Sequence, residues 1–98
     1  MAMKVVLSPT AKSKLEELLS YLKLEWSEIV KQEFIGKLDN KINQISHYPK
    51  SCPESRSFKG LYKCVVSKQT TFYYRINESE IEIATLFDTR QDPDKLNP

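Results

Sequence analysis

The chain has 98 residues, of which 40% are hydrophobic and 29% charged, and a net charge of +2. That is the composition of one ordinary globular domain, and it excludes disordered and fibrous classes. No apolar run reaches the roughly 20 residues of a membrane-spanning helix and no charged-then-apolar leader opens the sequence, so a cytoplasmic protein is expected.

Met3 to Leu7 reads as a short apolar strand. Ser8-Pro9 then stops it and starts a helix, because serine accepts from the first free backbone N–H groups and proline gives up an N–H that had no partner. Ala11, Leu15, Leu18, Leu19 and Leu22 follow at i, i+4, i+7, i+8 and i+11, one stripe of that helix. A pause is expected near Lys23 to Glu25. A second helix is predicted from about Trp26 to Ser46, with Val30, Phe34, Leu38, Ile42 and Ile45 as its buried stripe and Ile29 and Ile35 widening the apolar arc. Tyr48-Pro49 ends it, since proline disfavours helical geometry in the residue before it.

Lys50 to Ser57 is a polar loop with a second proline, Pro53. Three strands follow: Tyr62 to Ser67, Thr70 to Asn77 and Ile81 to Asp88, each rich in Val, Ile, Thr, Tyr and Phe. The middle one alternates, with Thr70, Phe72, Tyr74 and Ile76 on one face and Thr71, Tyr73, Arg75 and Asn77 on the other. In the last, Ile81, Ile83 and Phe87 share a face while Ala84 and Leu86 make the other apolar, which asks for a bulge or burial on both sides. The order is β-α-α-β-β-β: an α+β domain over residues 3–92, a two-helix hairpin packed on a mainly antiparallel sheet, with 93–98 as a tail.

Catalytic signatures are scarce. A single histidine, His47, cannot build a metal cluster and reads as a helix C-terminal cap. With Gly36 and Gly60 the only glycines, a phosphate-cradling loop is excluded, and no cofactor or metal is expected. Cys52 and Cys64 fit no metal spacing and read as free thiols, one in a loop and one in a strand. Tyr62, Tyr73 and Tyr74 are either core and cross-strand pairs or a base-stacking platform. Charge is segregated: Lys50, Arg56, Lys59, Lys63, Lys68 and Arg75 oppose Glu54 alone, whereas the following residues are acidic. Lys63 and Arg75 on neighbouring strands, with Arg90 past the last, could hold a phosphate or dock an acidic protein segment.

The opening VVLSPTAKSKLEELLSYL, the helix ending in HYP, the strand pair GLYKCVVSKQTTFYYRI and the close IEIATLFDTRQDP together resemble the RelE/ParE superfamily of bacterial toxins, from Lys4 to about Leu96. The resemblance implies the same β-α-α-β-β-β fold. It also implies a small cytoplasmic growth inhibitor, encoded beside an antitoxin whose C-terminal segment wraps and neutralises it in a plasmid-stabilisation module. RelE-like members are ribosome-dependent mRNA endonucleases that use basic residues on the sheet. ParE-like members lack that set and poison DNA gyrase.

Lys63 stands at the first strand lysine of the RelE pattern, but the next basic position is Val65 and the arginine position on the following strand is Thr71. No tyrosine or histidine follows Arg90. These departures favour the ParE-like branch, and with it a protein that is not an enzyme. That reading predicts an exposed apolar or charged strip on the helical hairpin. The RelE-like alternative predicts that Lys63, Arg75 and Arg90 converge on one phosphate as catalytic residues, and a non-toxic antitoxin-binding remnant is a third reading. In all three, the antitoxin is expected to meet Leu22, Trp26, Lys63 and Arg75.

Overall fold

Valine and leucine at positions 5 to 7 form β1 (Lys4–Leu7). Ser8 then caps α1 (Pro9–Tyr21), its Oγ accepting from the Ala11 N–H at 3.0 Å. In this computed structural model, which describes residues 2–90, the pause expected near Lys23 is a single π-helical turn, Leu22–Trp26. The turn is closed by the Ser27 N–H donating to the Leu22 carbonyl at 2.9 Å. Ser27 is extended and caps the next helix through its Oγ, which accepts from Val30 N–H at 3.1 Å, so α2 runs Glu28–His47 rather than from Trp26. The expected tail at 93–98 and the end of the TRQDP stretch lie outside the described residues.

The remaining strands are β2 (Tyr62–Val65), β3 (Thr70–Ile76) and β4 (Glu80–Asp88). They form one four-stranded sheet in the order β1-β4-β3-β2. β1 lies parallel to β4, and the other two pairings are antiparallel. The α+β arrangement is therefore the expected one.

β4 carries a bulge. Tyr73 pairs with Thr85 but Tyr74 pairs with Ile83, leaving Ala84 as the extra residue. Before it, Ile81 and Ile83 face the core; after it, Leu86 and Asp88 do. Without that inserted residue the period of two would send Leu86 to the opposite face. The freed Ala84 carbonyl accepts from Ser8 Oγ at 2.7 Å, and Ser8 N–H donates to the Ile83 carbonyl at 3.0 Å. One serine thus caps α1 and completes the bulge.

The core lies between the sheet and the helices. Leu18, Phe72, Ile81 and Ile83 are essentially without exposure, and each such side chain stabilises the fold by roughly 1.5–3 kcal/mol. Phe34, Leu38 and Ile45 supply the α2 side as expected. Ile29 does not join them: it is 73% exposed. Once Ser27 sets the phase of α2 so that Val30 faces inward, Ile29 is turned away by about 100°.

The stretch before β2 is more ordered than a polar loop. Glu54 pairs with Tyr62, Ser55 N–H donates to the Leu61 carbonyl at 2.7 Å, and Lys63 N–H to the Pro53 carbonyl at 2.8 Å. The reversal closes through Leu61 N–H to the Phe58 carbonyl at 3.1 Å, with Gly60 at φ 84°. That backbone is open to glycine at no steric cost and fits the third position of a type II turn.

Candidate functional site

The face of the sheet turned away from the core is set by register. Lys63 opposes Tyr73 and Val65 opposes Thr71 on β2 and β3, while Thr71 in turn opposes Phe87 and Arg75 opposes Glu82 on β3 and β4. The middle of this face is thus aromatic and neutral. Phe58, which sequence reasoning left unassigned, lies edge-on to Tyr73 with ring centres 4.8 Å apart and stacks towards Phe87 at 6.4 Å. Lys14 Nζ sits 4.0 Å from the centre of the Phe87 ring. A lone phenylalanine before Lys59-Gly60 was the available signal, since a turn beside a strand can fold such a ring onto the sheet.

The three expected cations fare differently. Lys63 is exposed on this face. Arg75 shares the face but is tied to Glu82, Nε to Oε1 at 3.2 Å. Arg90 is at the other end of the sheet, past Asp88, six positions along β4 from Glu82. There its Nη2 donates to Asp88 Oδ2 at 2.8 Å and its Nε to Oδ1 at 3.2 Å. The structure brings Lys63 and Arg75 onto one surface and holds Arg90 apart, near Trp26, whose ring centre is 5.9 Å from the guanidinium carbon.

Asp88 is fully buried in its side chain. Burial alone would push its carboxyl up, but hydrogen bonds from Arg90 and Thr70 and the nearby positive charge more than offset that, and hold it below its ordinary value of 3.8. Tyr21 Oη donates to the Arg90 carbonyl at 2.7 Å, fixing the chain where it leaves β4. The group is a structural clasp in which both Asp88 carboxylate oxygens accept from Arg90.

Leu22 and Trp26 part company. Leu22, expected to meet an antitoxin, is wholly buried, because the π-turn directs it into the core. Trp26 is 54% exposed, and Leu24 and Ile29, near it in the chain, are largely exposed as well. Beneath it lies a shallow cavity of about 220 Å³ whose lining includes Trp26, Val30, Phe34, Lys37, Gln69 and Arg90. The helical hairpin thus exposes apolar side chains here, beside a cavity whose charged lining is Glu33, Lys37 and Arg90.

The tyrosines divide by face. Tyr74 is buried and stacked on Tyr62 at 5.3 Å, and only Tyr73 belongs to the open face, so they do not form one platform. His47 ends α2 with Nδ1 3.0 Å from the Asn43 carbonyl, a contact local to the helix end.

Residues 5–93 match the model of the ParE toxin of the type II toxin–antitoxin system, parDE. The chain belongs to this ParE toxin family. No curated protein matches it in sequence. Among solved structures it is similar to the chromosomal ParDE toxin–antitoxin system of P. aeruginosa, with a TM-score of 0.73 and 10% identity over 89% of this chain and 96% of that one. It is also similar to a mutant of the E. coli toxin RelE in the free state (TM-score 0.59, 12% identity, 95% and 90% coverage). A third similar structure is the E. coli DinJ–YafQ toxin–antitoxin complex (TM-score 0.59, 12% identity, 94% and 98% coverage). The structures titled ParDE and RelE share this fold, so the fold alone does not decide the target, which is a matter for the site. Among the described residues, no helix is long and apolar enough to cross a membrane.

Proposed function

We propose that this ParE-family toxin inhibits growth in the cytoplasm by docking on a protein target, DNA gyrase, and does not cut RNA. The observation that carries this reading is the pairing of its cations. Arg75 is held by Glu82 and Arg90 by Asp88, at opposite ends of the sheet. Cleaving a phosphodiester needs cations aimed at the charge that develops on one phosphate, and of Lys63, Arg75 and Arg90 only Lys63 is outside an ion pair among the described residues. The exposed strip of Leu24, Trp26 and Ile29 has the composition of a protein contact, where a half-exposed tryptophan anchors binding.

The partner that restrains the toxin is a cognate antitoxin, in a hetero-oligomer of a plasmid-stabilisation type. Its segment meets Trp26 on the helical tip and Lys63 and Arg75 on the sheet, with Leu22 supporting the tip from beneath. One observation favours the RelE-like endonuclease: Lys63 is exposed beside the Tyr73–Phe58 aromatic pair, where a base could stack and its phosphate meet the ammonium.

The deciding experiment induces the toxin without its antitoxin and follows DNA supercoiling and transcript integrity in one culture. DNA breaks with intact transcripts, unchanged in Lys63→Ala, are expected. Codon-phased transcript cuts that vanish in Lys63→Ala would establish the endonuclease instead. Normal growth with both intact would leave an antitoxin-binding remnant.

A further inference from the structure

The register of the segment before β2 brings the two cysteines of the chain face to face. Its backbone bonds join Ser55 to Leu61 and Pro53 to Lys63, and Glu54 opposes Tyr62 between them. The 54–62 position is therefore a non-hydrogen-bonded site of this antiparallel pair, where opposed Cα atoms come closest, about 4.5 Å apart. Cys52 and Cys64 lie two residues further along the two segments, so the same register turns them towards each other. Both are free and buried, and the Cys52 thiol lies close enough to act on that of Cys64. A disulfide needs Cα atoms roughly 4.4–6.8 Å apart with side chains converging, and the register one bridge away brings the two buried thiols towards that arrangement.

We infer that Cys52 and Cys64 are a reversible redox pair that hydrogen peroxide closes to a disulfide, pinning the 49–61 segment to β2. Neither thiol has a part in the docking function. A disulfide in a cytosolic protein is ordinarily transient and redox-sensing, which is the behaviour this pair would show.

The two sulfurs have different roles. Burial, reinforced by the Cys52 thiol, pushes Cys64 up to about 12, so it is a poor first nucleophile. Cys52 lies in a segment whose neighbours Ser51 and Pro53 are exposed and which few bonds hold to the sheet, among them Tyr74 Oη to the Pro49 carbonyl at 2.8 Å. Local opening of that segment presents Cys52 to solvent. Its thiolate attacks one peroxide oxygen, the O–O bond breaks, and the departing hydroxide takes up the thiol proton as water, leaving a sulfenic acid on Cys52. When the segment closes again, Cys64 sulfur attacks Cys52 sulfur and the S–O bond breaks. The departing hydroxide leaves with the Cys64 proton as a second water. Two thiols have then lost two electrons and two protons, and one peroxide has become two waters. A thiol such as glutathione reverses the bond by exchange.

The pinned segment carries Phe58 onto Tyr73, so oxidation fixes the aromatic cover of the open sheet face together with Arg56 and Lys59.

The test treats the purified full chain with hydrogen peroxide or with dithiothreitol. It compares intact mass, non-reducing peptide maps, thermal melting and proteolysis within 50–60. Expected are a mass lower by two hydrogens, a linked Cys52–Cys64 peptide that dithiothreitol releases, slower cleavage of the segment, and a Tm higher by roughly 10 °C. In Cys64→Ala the reaction should stop at a Cys52 sulfenic acid trapped by dimedone; should that variant not fold, the wild-type mass and map still decide. A Cys52–Cys52 dimer, over-oxidised Cys52 beside free Cys64, or unreacted thiols under peroxide that oxidises a cysteine peptide would each overturn the proposal.

Discussion

Arg75 and Glu82 stand directly opposite each other on β3 and β4 and hold an ion pair at 3.2 Å. The pair removes from the open face a charge that the sequence advertises. Half of the Arg75 side chain is exposed, so water screens the attraction and the pair stabilises little. Arg75→Ala should therefore change unfolding free energy by less than about 1 kcal/mol in urea titration and leave growth inhibition intact. Loss of toxicity in a folded Arg75→Ala protein would make the arginine part of the working surface.

Arg90 and Asp88 form the contrasting pair. The carboxylate has no exposure and the arginine little, so truncating the cation strands a buried charge. Arg90→Ala should cost about 3 kcal/mol, well above the cost of Arg75→Ala. Equal urea midpoints for the two variants would contradict this account.

The same carboxylate sets an acid limit. Its folded pKa lies below the ordinary 3.8, so its contribution is present above that value and is lost as pH falls through the folded pKa. Stability should drop as the pH falls below the ordinary carboxylate value and on through the lowered folded pKa, and Asp88→Asn should flatten that limb while lowering the neutral-pH plateau. A wild-type acid limb that persists unchanged in Asp88→Asn would assign it to other carboxylates.

Ser8 joins the start of α1 to the β4 bulge through Oγ, accepting from Ala11 N–H and donating to the Ala84 carbonyl. The Ser27 side chain makes the helix-capping bond to Val30 N–H and has no bond to the sheet among the described residues. Ser8→Ala should cost about 2 kcal/mol and Ser27→Ala about 1 kcal/mol, with Ser8→Thr recovering part of the first. Thermal melts of the three variants would show the order, and a reversed order would remove the bulge from the role given to Ser8.

Trp26 and Ile29 are exposed and should matter for binding far more than for folding. Trp26→Ala should weaken antitoxin binding by at least about 2 kcal/mol, with Ile29→Ser shifting stability by under about 0.5 kcal/mol. Titration calorimetry against the antitoxin reads the first and urea denaturation the second. Unchanged affinity in Trp26→Ala would move the docking surface off the helical tip.

Much of the fold is written locally. Ser8-Pro9 marks the start of α1, the leucine spacing from Ala11 to Leu22 fixes its inner face, and the alternation from Thr70 to Ile76 fixes both faces of β3. These signals survive because each depends only on the chemistry of neighbouring residues and on the periods of helix and strand. The start of α2 is less legible: the π-turn ends at Trp26, extended Ser27 begins a new helix and Ile29 turns outward, and apolarity alone does not reveal that break.

The functional residues divide along the same line. That Lys63, Arg75 and Arg90 are the cations near the last strands, and that Val65 and Thr71 are not, follows from the sequence alone. Whether those charges cooperate does not, because strand register pairs Arg75 with Glu82 and the end of β4 hands Arg90 to Asp88. The sequence by itself determined the order of elements, the buried stripes and the family resemblance, all of which rest on local pattern. Only the tertiary structure decided which cations are neutralised, that Leu22 is core while Trp26 is surface, and that Cys52 faces Cys64. Each of those depends on the register between segments far apart in the chain, which long-range pairing alone sets.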